Sequence, residues 1–210
     1  MDTQTRDYYQ FNAKHLAQQY ARAKNPVVDY ISLYLSSQPN AQVLDAGCGT
    51  GVVAQNLAKL GFSVTGCDPV PALYQEAAAT NKKIQFFPST LEELNRHPTQ
   101  YQAVSCQAVL QHIPEPDLVS SLTGLVEVCE NNGYLFISVP TQYPLESPTR
   151  DKAGRLFHLW DKNLYTHLFR RLGCRLVHYV DHEDSLGRPG ITWVLLIFQK
   201  EALDGGGDGR

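Results

Sequence analysis

The sequence predicts a doubly wound α/β fold, a mostly parallel sheet with helices on both faces. Three observations carry that reading. Short apolar strand-like runs alternate with helix-like segments across short links, and right-handed crossovers then make neighbouring strands parallel. One buried run, Val43-Leu44-Asp45, opens directly into a glycine-rich turn and then a helix. The 210 residues, 43% of them hydrophobic, can bury roughly 70% of the unfolded surface, enough for one core.

In chain order, residues 7–22 read as an amphipathic helix, with Tyr8, Phe11, His15 and Tyr20 at near-helical spacing. Asn25-Pro26 breaks it and starts a second helix through Ile31, Tyr34 and Leu35. After a loop at 36–40 come a strand at 42–45 and a helix at 51–60 closed by Gly61. A second strand spans 62–68 and an alanine-rich helix 71–79. Strands follow at 84–87 and 101–106, then a helix at 117–130 and a strand at 133–139. Residues 140–160, with Pro140, Pro144 and Pro148, read as an irregular lid. A helix at 161–172 ends at Gly173, and 174–181 and 191–199 form an antiparallel hairpin at the sheet edge. That makes seven strands. The domain reading is a helical cap at 1–40, a ligand-binding domain at 41–200 and a flexible glycine-rich tail at 201–210.

Composition narrows the function. Charged residues are 19% and the formal net charge is -3, which excludes disorder and a generally basic nucleic-acid coat. No apolar run approaches the roughly 20 residues of a membrane span, and Met1 to Arg6 has no apolar signal core behind it. The expectation is a soluble, cytoplasmic protein with no membrane partner. Five cysteines without C-x-x-C spacing do not make a disulfide framework or a structural zinc site. His178 and His182 lie in a strand-like alternation, which does not converge them on a metal, so no metal is expected.

The informative turn is Asp45-Ala46-Gly47-Cys48-Gly49-Thr50-Gly51. Glycine permits positive φ and close approach of a ligand to backbone, and the next helix offers unpaired amides. This is a nucleotide-like binding turn at the carboxyl end of a parallel strand. Its spacing is G-x-G-x-G rather than the dinucleotide G-x-G-x-x-G, with an acid two positions ahead. A carboxylate there repels a pyrophosphate and suits a ligand with an ammonium group and no phosphate. S-adenosylmethionine (SAM) has that character.

From these residues the chain resembles the class I SAM-dependent methyltransferases, over about residues 40–200. The resemblance implies the strand order 3-2-1-4-5-7-6, with the last-entering strand antiparallel. It implies SAM as cofactor, held by Asp45, Gly47, Cys48, Gly49 and Gly51 of the turn. Asp68, followed by Pro69, would accept the ribose hydroxyls. Ser89-Thr90-Leu91 would frame the adenine and Gln107 the methionine part. Leu110-Gln111-His112-Ile113-Pro114 resembles the family's leucine-histidine-histidine-x-proline run, so only His112 is carried over, as a catalytic base. The run Gly187 to Trp193 is similar to one group of small bacterial methyltransferases.

Asp45 also reads as a helix-cap acid, Asp68 as a solvated strand-end acid, and His112 as a packing residue. Methyl transfer needs alignment and exclusion of water more than side-chain chemistry. Acceptor contacts are expected from Tyr9, Tyr143, Arg155 and His158. The N-terminal tyrosines also read as packing, and the charges of 140–188, eight basic against six acidic, as a solvated face. The expected function is methyl transfer to an oxygen or nitrogen of a small-molecule acceptor. The alternatives are a transfer-RNA or other nucleic-acid methyltransferase and a non-catalytic SAM-binding regulatory domain. Oligomeric state is left open.

Overall fold

A computed structural model describes residues 1–202. The proposed tail therefore lies almost wholly outside the described residues.

Two helices lead, α1 (Thr3–Tyr20) and α2 (Pro26–Tyr34). Asp2 caps α1 by accepting the Thr5 amide, and Pro26 starts α2 where a missing N–H costs nothing. α1 buries Thr5, Tyr9, Ala13 and Leu16, while Phe11 is 84% exposed. The expected stripe of Tyr8, Phe11, His15 and Tyr20 is thus corrected. The true i, i+4 face packs against α4, where small Ala13 permits close approach.

The sheet comprises β1 (Gln42–Ala46), β2 (Ser63–Cys67), β3 (Gln85–Phe87), β4 (Tyr101–Gln107), β5 (Cys129–Gln142), β8 (Cys174–Glu183) and β9 (Thr192–Lys200). Between β5 and β8, a small antiparallel ribbon is formed by β6 (Leu145–Ser147) and β7 (Arg150–Asp151). The main sheet has seven strands in the order β3-β2-β1-β4-β5-β9-β8. With the ribbon set aside this is the expected 3-2-1-4-5-7-6. β9 enters last and runs antiparallel to both its neighbours.

The remaining helices are α3 (Val52–Lys59), α4 (Pro71–Thr80), α5 (Leu118–Glu127) and α6 (Lys162–Arg171). Cores form on both faces of the sheet. One joins β1, β4, β5 and β9 to α5 and α6, and the other joins them to α2 and α3. α2 therefore shares the sheet's own core, so the expected cap is welded to the domain through Val27, Val28 and Ile31.

Two boundaries differ from expectation. Helix α5 stops at Glu127, and β5 begins at Cys129, ahead of the glycine expected to open it. The lid is less irregular than expected, because Gln142 still belongs to β5 and the ribbon folds over residues 145–151. Proline reads as a breaker, yet Pro140 is accommodated in β5 beside a register shift.

Candidate functional site

Parallel strands β1, β2 and β4 end on one edge, and the turns leaving them wall a continuous cavity. At the first turn Gly47, Gly49 and Gly51 all have positive φ. Their jobs differ. A Cβ on Gly47 would lie 2.4 Å from Val109, and one on Gly51 2.8 Å from Ala77, whereas one on Gly49 would meet nothing within 4 Å. Gly49 is the position where the cavity itself occupies the side-chain space. Gly51 caps α3 in the left-handed region and stands outside the cavity wall, so its expected ligand contact is corrected to a packing role.

Two carboxylates face this turn. Asp68 accepts the Gly49 amide at 3.0 Å and the Val70 amide at 2.9 Å. Asp45 accepts the Ala54 amide in the first turn of α3 at 3.2 Å. Both are buried, so neither is a solvated acid. Loss of water pushes Asp45 up to about 7 against the lowering by the Ala54 amide, and the nearby Asp68 adds to the rise. Loss of water likewise pushes Asp68 up to about 6, against the lowering by its two amides. Thr50, also in the wall, has a buried hydroxyl without a partner among the described residues. Buried acids without a basic partner suit a ligand that brings a cation and hydroxyl donors.

Pro69, Thr90, Leu91 and Gln107 line the same cavity. Ser89 does not, because its hydroxyl turns onto the Thr90 carbonyl. Gln107 anchors its amide on the Phe136 carbonyl at 2.8 Å. Beyond it, Ala108 holds φ +55°, a conformation costly for alanine.

The far half of the cavity is made by distant segments. His112 sits in the wall, buried, with Nδ1 2.6 Å from the Leu156 carbonyl. A carbonyl only accepts, so Nδ1 carries the proton and Nε2 holds a lone pair. That lone pair lies 2.9 Å from the Tyr9 hydroxyl. Burial and then the Arg155 charge push His112 down to about 3, so the ring is neutral near pH 7. Arg155 donates Nη1 to the Tyr9 oxygen at 2.8 Å and pairs through Nε and Nη2 with Asp151. Tyr143 stacks on Phe157 at 4.0 Å, and both line the cavity.

The structure thus brings Tyr9, Tyr143 and Arg155 together in the cavity wall. His158 is not: it stacks on Trp160 at 4.4 Å and stands outside the wall, a correction with a packing cause. Sequence reasoning missed a cluster in the β8–β9 connection. Asp184 takes three bonds from Arg188, two from the guanidinium and one from the backbone amide, and one from the Trp193 indole, and all three residues line the cavity. The available signal was the Gly187 to Trp193 run, whose anchor Asp184 lies just before it.

A family model described as a methyltransferase domain matches residues 13–179. The chain belongs to this methyltransferase family. The ubiquinone biosynthesis O-methyltransferase of Yersinia enterocolitica is 32% identical over 120 residues, covering 54% of this chain and 49% of that one. The protein of the same name from Shewanella pealeana is also 32% identical over 120 residues, covering 54% and 50%. The chain thus spans about half the length of these curated relatives.

Solved methyltransferases share the fold. The Synechocystis PCC 6803 magnesium protoporphyrin IX methyltransferase, with bound S-adenosylhomocysteine (SAH), superposes with a TM-score of 0.71 at 17% identity, covering 93% of this chain and 98% of that one. The Burkholderia thailandensis 1,6-didemethyltoxoflavin-N1-methyltransferase gives 0.72 at 19%, covering 93% and 85%. Among the described residues no helix is long and apolar enough to cross a membrane.

Proposed function

We propose that this chain is a SAM-dependent methyltransferase acting on an oxygen or nitrogen of a small-molecule acceptor. One observation carries the reading: the open side-chain space of Gly49, flanked by buried Asp45 and Asp68, belongs to one cavity that Tyr9, His112 and Tyr143 also wall. When bound, SAM supplies a methyl group on a sulfonium that is a ready leaving group. In this reading Asp68 accepts the ribose hydroxyls with its remaining lone pairs, and Pro69, Thr90 and Leu91 border the adenine. Gln107 borders the methionine portion, and the Asp45 carboxylate faces the ammonium through the turn formed by Gly47, Cys48 and Gly49. Tyr143, Phe157 and Arg155 border the acceptor and keep water from it.

The relatives named for ubiquinone biosynthesis O-methylation favour oxygen as the atom methylated. The 140–160 segment acts as the substrate lid and 1–40 as the cap over the 41–200 domain. Five free, buried cysteines support a reducing, cytoplasmic setting.

Two measurements test the function. Calorimetry with SAH should show stoichiometric binding, and its absence sinks the cofactor assignment. SAH release should then be followed over pooled small molecules and over RNA. Turnover with a small molecule is expected. Turnover confined to RNA, with a steep salt dependence, would replace the acceptor class. SAH binding with no turnover on either pool would point to a regulatory domain.

A further inference from the structure

We propose that Tyr9, delivered by the N-terminal helix, is the catalytic residue that takes the acceptor's proton while handing its own to His112. Arg155 is the positioning residue for this exchange. The inference rests on the methyltransferase reading above and deepens it at the acceptor end.

The argument is an accounting of lone pairs and protons. His112 has no nitrogen open to an acceptor. Its Nδ1–H is spent on the Leu156 carbonyl, and its Nε2 lone pair receives the Tyr9 hydroxyl, with the Gln111 side-chain nitrogen also 3.3 Å away. An acceptor could reach Nε2 directly after displacing Tyr9 alone, and Tyr9 is buried and held at both ends. Its ring packs with Ala13, Leu16, Val70 and Leu73, and its oxygen accepts from Arg155. A phenol oxygen has one proton and two lone pairs. The proton points to His112 and one lone pair to Arg155; among the described residues nothing takes the second. Tyr9, His112 and Arg155 all line the cavity, and in this proposal the second lone pair is the basic position that an acceptor O–H meets.

The segments that bring these groups together are tied to one another. The Leu156 amide donates to Thr5 Oγ1 at 2.7 Å, one helical turn before Tyr9 on α1. Asp2 pairs with Arg150 at 2.8 Å. Asp151 holds the Arg155 side chain and accepts the Arg155 amide as well. The lid and the N-terminal helix are therefore joined around the Tyr9–His112 contact.

For a hydroxyl acceptor the step balances as follows. The acceptor O–H bond breaks and its proton goes to the Tyr9 oxygen, while the Tyr9 proton moves to His112 Nε2. The acceptor oxygen pair forms the bond to the methyl carbon, and sulfur keeps the pair of the bond that breaks. One positive charge disappears at sulfur and one appears on the imidazole, so the chamber's total charge is unchanged. His112 releases its proton to water as product leaves. The charged groups that bear on His112 are Arg155, Asp151 and Asp2, and Arg155 also faces Tyr9 together with the phenols Tyr8 and Tyr20. The Arg155 cation stabilises negative charge on the Tyr9 oxygen during the exchange.

The test uses the full chain saturated with SAH, which leaves the chamber without the sulfonium charge, as after transfer. The probe is 4-nitrocatechol, a phenol whose ionised form absorbs at longer wavelength. Bound probe should ionise at a pH lower by about one unit or more than free probe, roughly a tenfold change in its proton equilibrium. Tyr9→Phe keeps the packed ring and removes the relay. It should return the midpoint to that of free probe, while SAH affinity stays within about threefold, well under 1.4 kcal/mol. His112→Gln should do the same, and Arg155→Lys should give an intermediate midpoint. Three results overturn the proposal: no binding of the probe to the SAH-loaded protein, an unshifted midpoint in the parent, or a shift that survives in Tyr9→Phe. Failure to bind SAH at all is a different outcome and counts against the methyltransferase reading itself.

Discussion

Gly47 and Gly49 share a left-handed turn, but a side chain would collide with protein at one and enter empty space at the other. Gly49→Val should therefore abolish SAH binding, read by calorimetry, with the circular dichroism of a folded protein and a melting temperature lowered by the strained left-handed backbone. Asp68→Ala removes charge-assisted acceptors and should weaken SAH binding by about 1–3 kcal/mol, a loss that a titration measures directly. Asp45 carries a pH signature. Its folded-state value of about 7 lies above the ordinary carboxylate value, so the native state binds the extra proton. Its contribution to stability is full below about pH 4 and is lost as pH rises through about 7. Asp45→Asn removes that loss. The melting temperature of the variant minus that of the parent should rise across this window and level off above it. A flat difference would mean that the carboxylate is not desolvated as the structure shows.

At the scale of elements, α5 decides where the Leu91 part of the cavity wall stands. A Cβ on Gly124 would lie 1.9 Å from the Leu91 carbonyl, so helix and loop touch backbone to backbone there. Gly124→Ala must push one of them away. The expected outcome is a loss of stability of about 1–3 kcal/mol together with weaker SAH binding, because Leu91 moves with the loop. Denaturant unfolding and calorimetry on one preparation check both, and an unchanged affinity would show that α5 does not set the loop.

The helices and inner strands were legible because their signals are local. Pro26 and Pro71 open helices, Gly61 and Gly173 close them with positive φ, and buried runs such as Val43-Leu44 read as central strands. The β6–β7 ribbon was not legible. Its pairing, Leu145 with Asp151 and Ser147 with Arg150, has no apolar alternation to announce it.

Across the whole molecule, the cavity is walled by segments far apart in the chain, the N-terminal segment and the β8–β9 connection. Met1 and Tyr9 come from the first of these, and Arg188 and Trp193 from the second and the start of β9. The Lys24 amide donates to the Ser185 carbonyl at 3.2 Å, fastening the N-terminal segment to the β8–β9 connection. SAH at about a hundred times its dissociation constant should add roughly 2.7 kcal/mol of stability. Hydrogen exchange should slow in α1 and in residues 184–193, and not only at the glycine turn. If α1 exchanges at the same rate with and without SAH, it does not act as a cover.

The sequence by itself determined the α/β alternation, the glycine turn with Asp45 and Asp68, and hence the edge of the sheet where the cavity opens. Strand burial, helix caps and turn chemistry act over a few residues, so they can be read along the chain. Tertiary structure alone decided which face of α1 is buried, and that Ser89, Gly51 and His158 stand outside the wall while Asp184, Arg188 and Trp193 stand in it. It also decided that the His112 lone pair meets the Tyr9 hydroxyl, a contact 103 positions away along the chain. The physical reason is that hydrogen-bond direction and tautomer depend on partners that only folding brings within 3 Å.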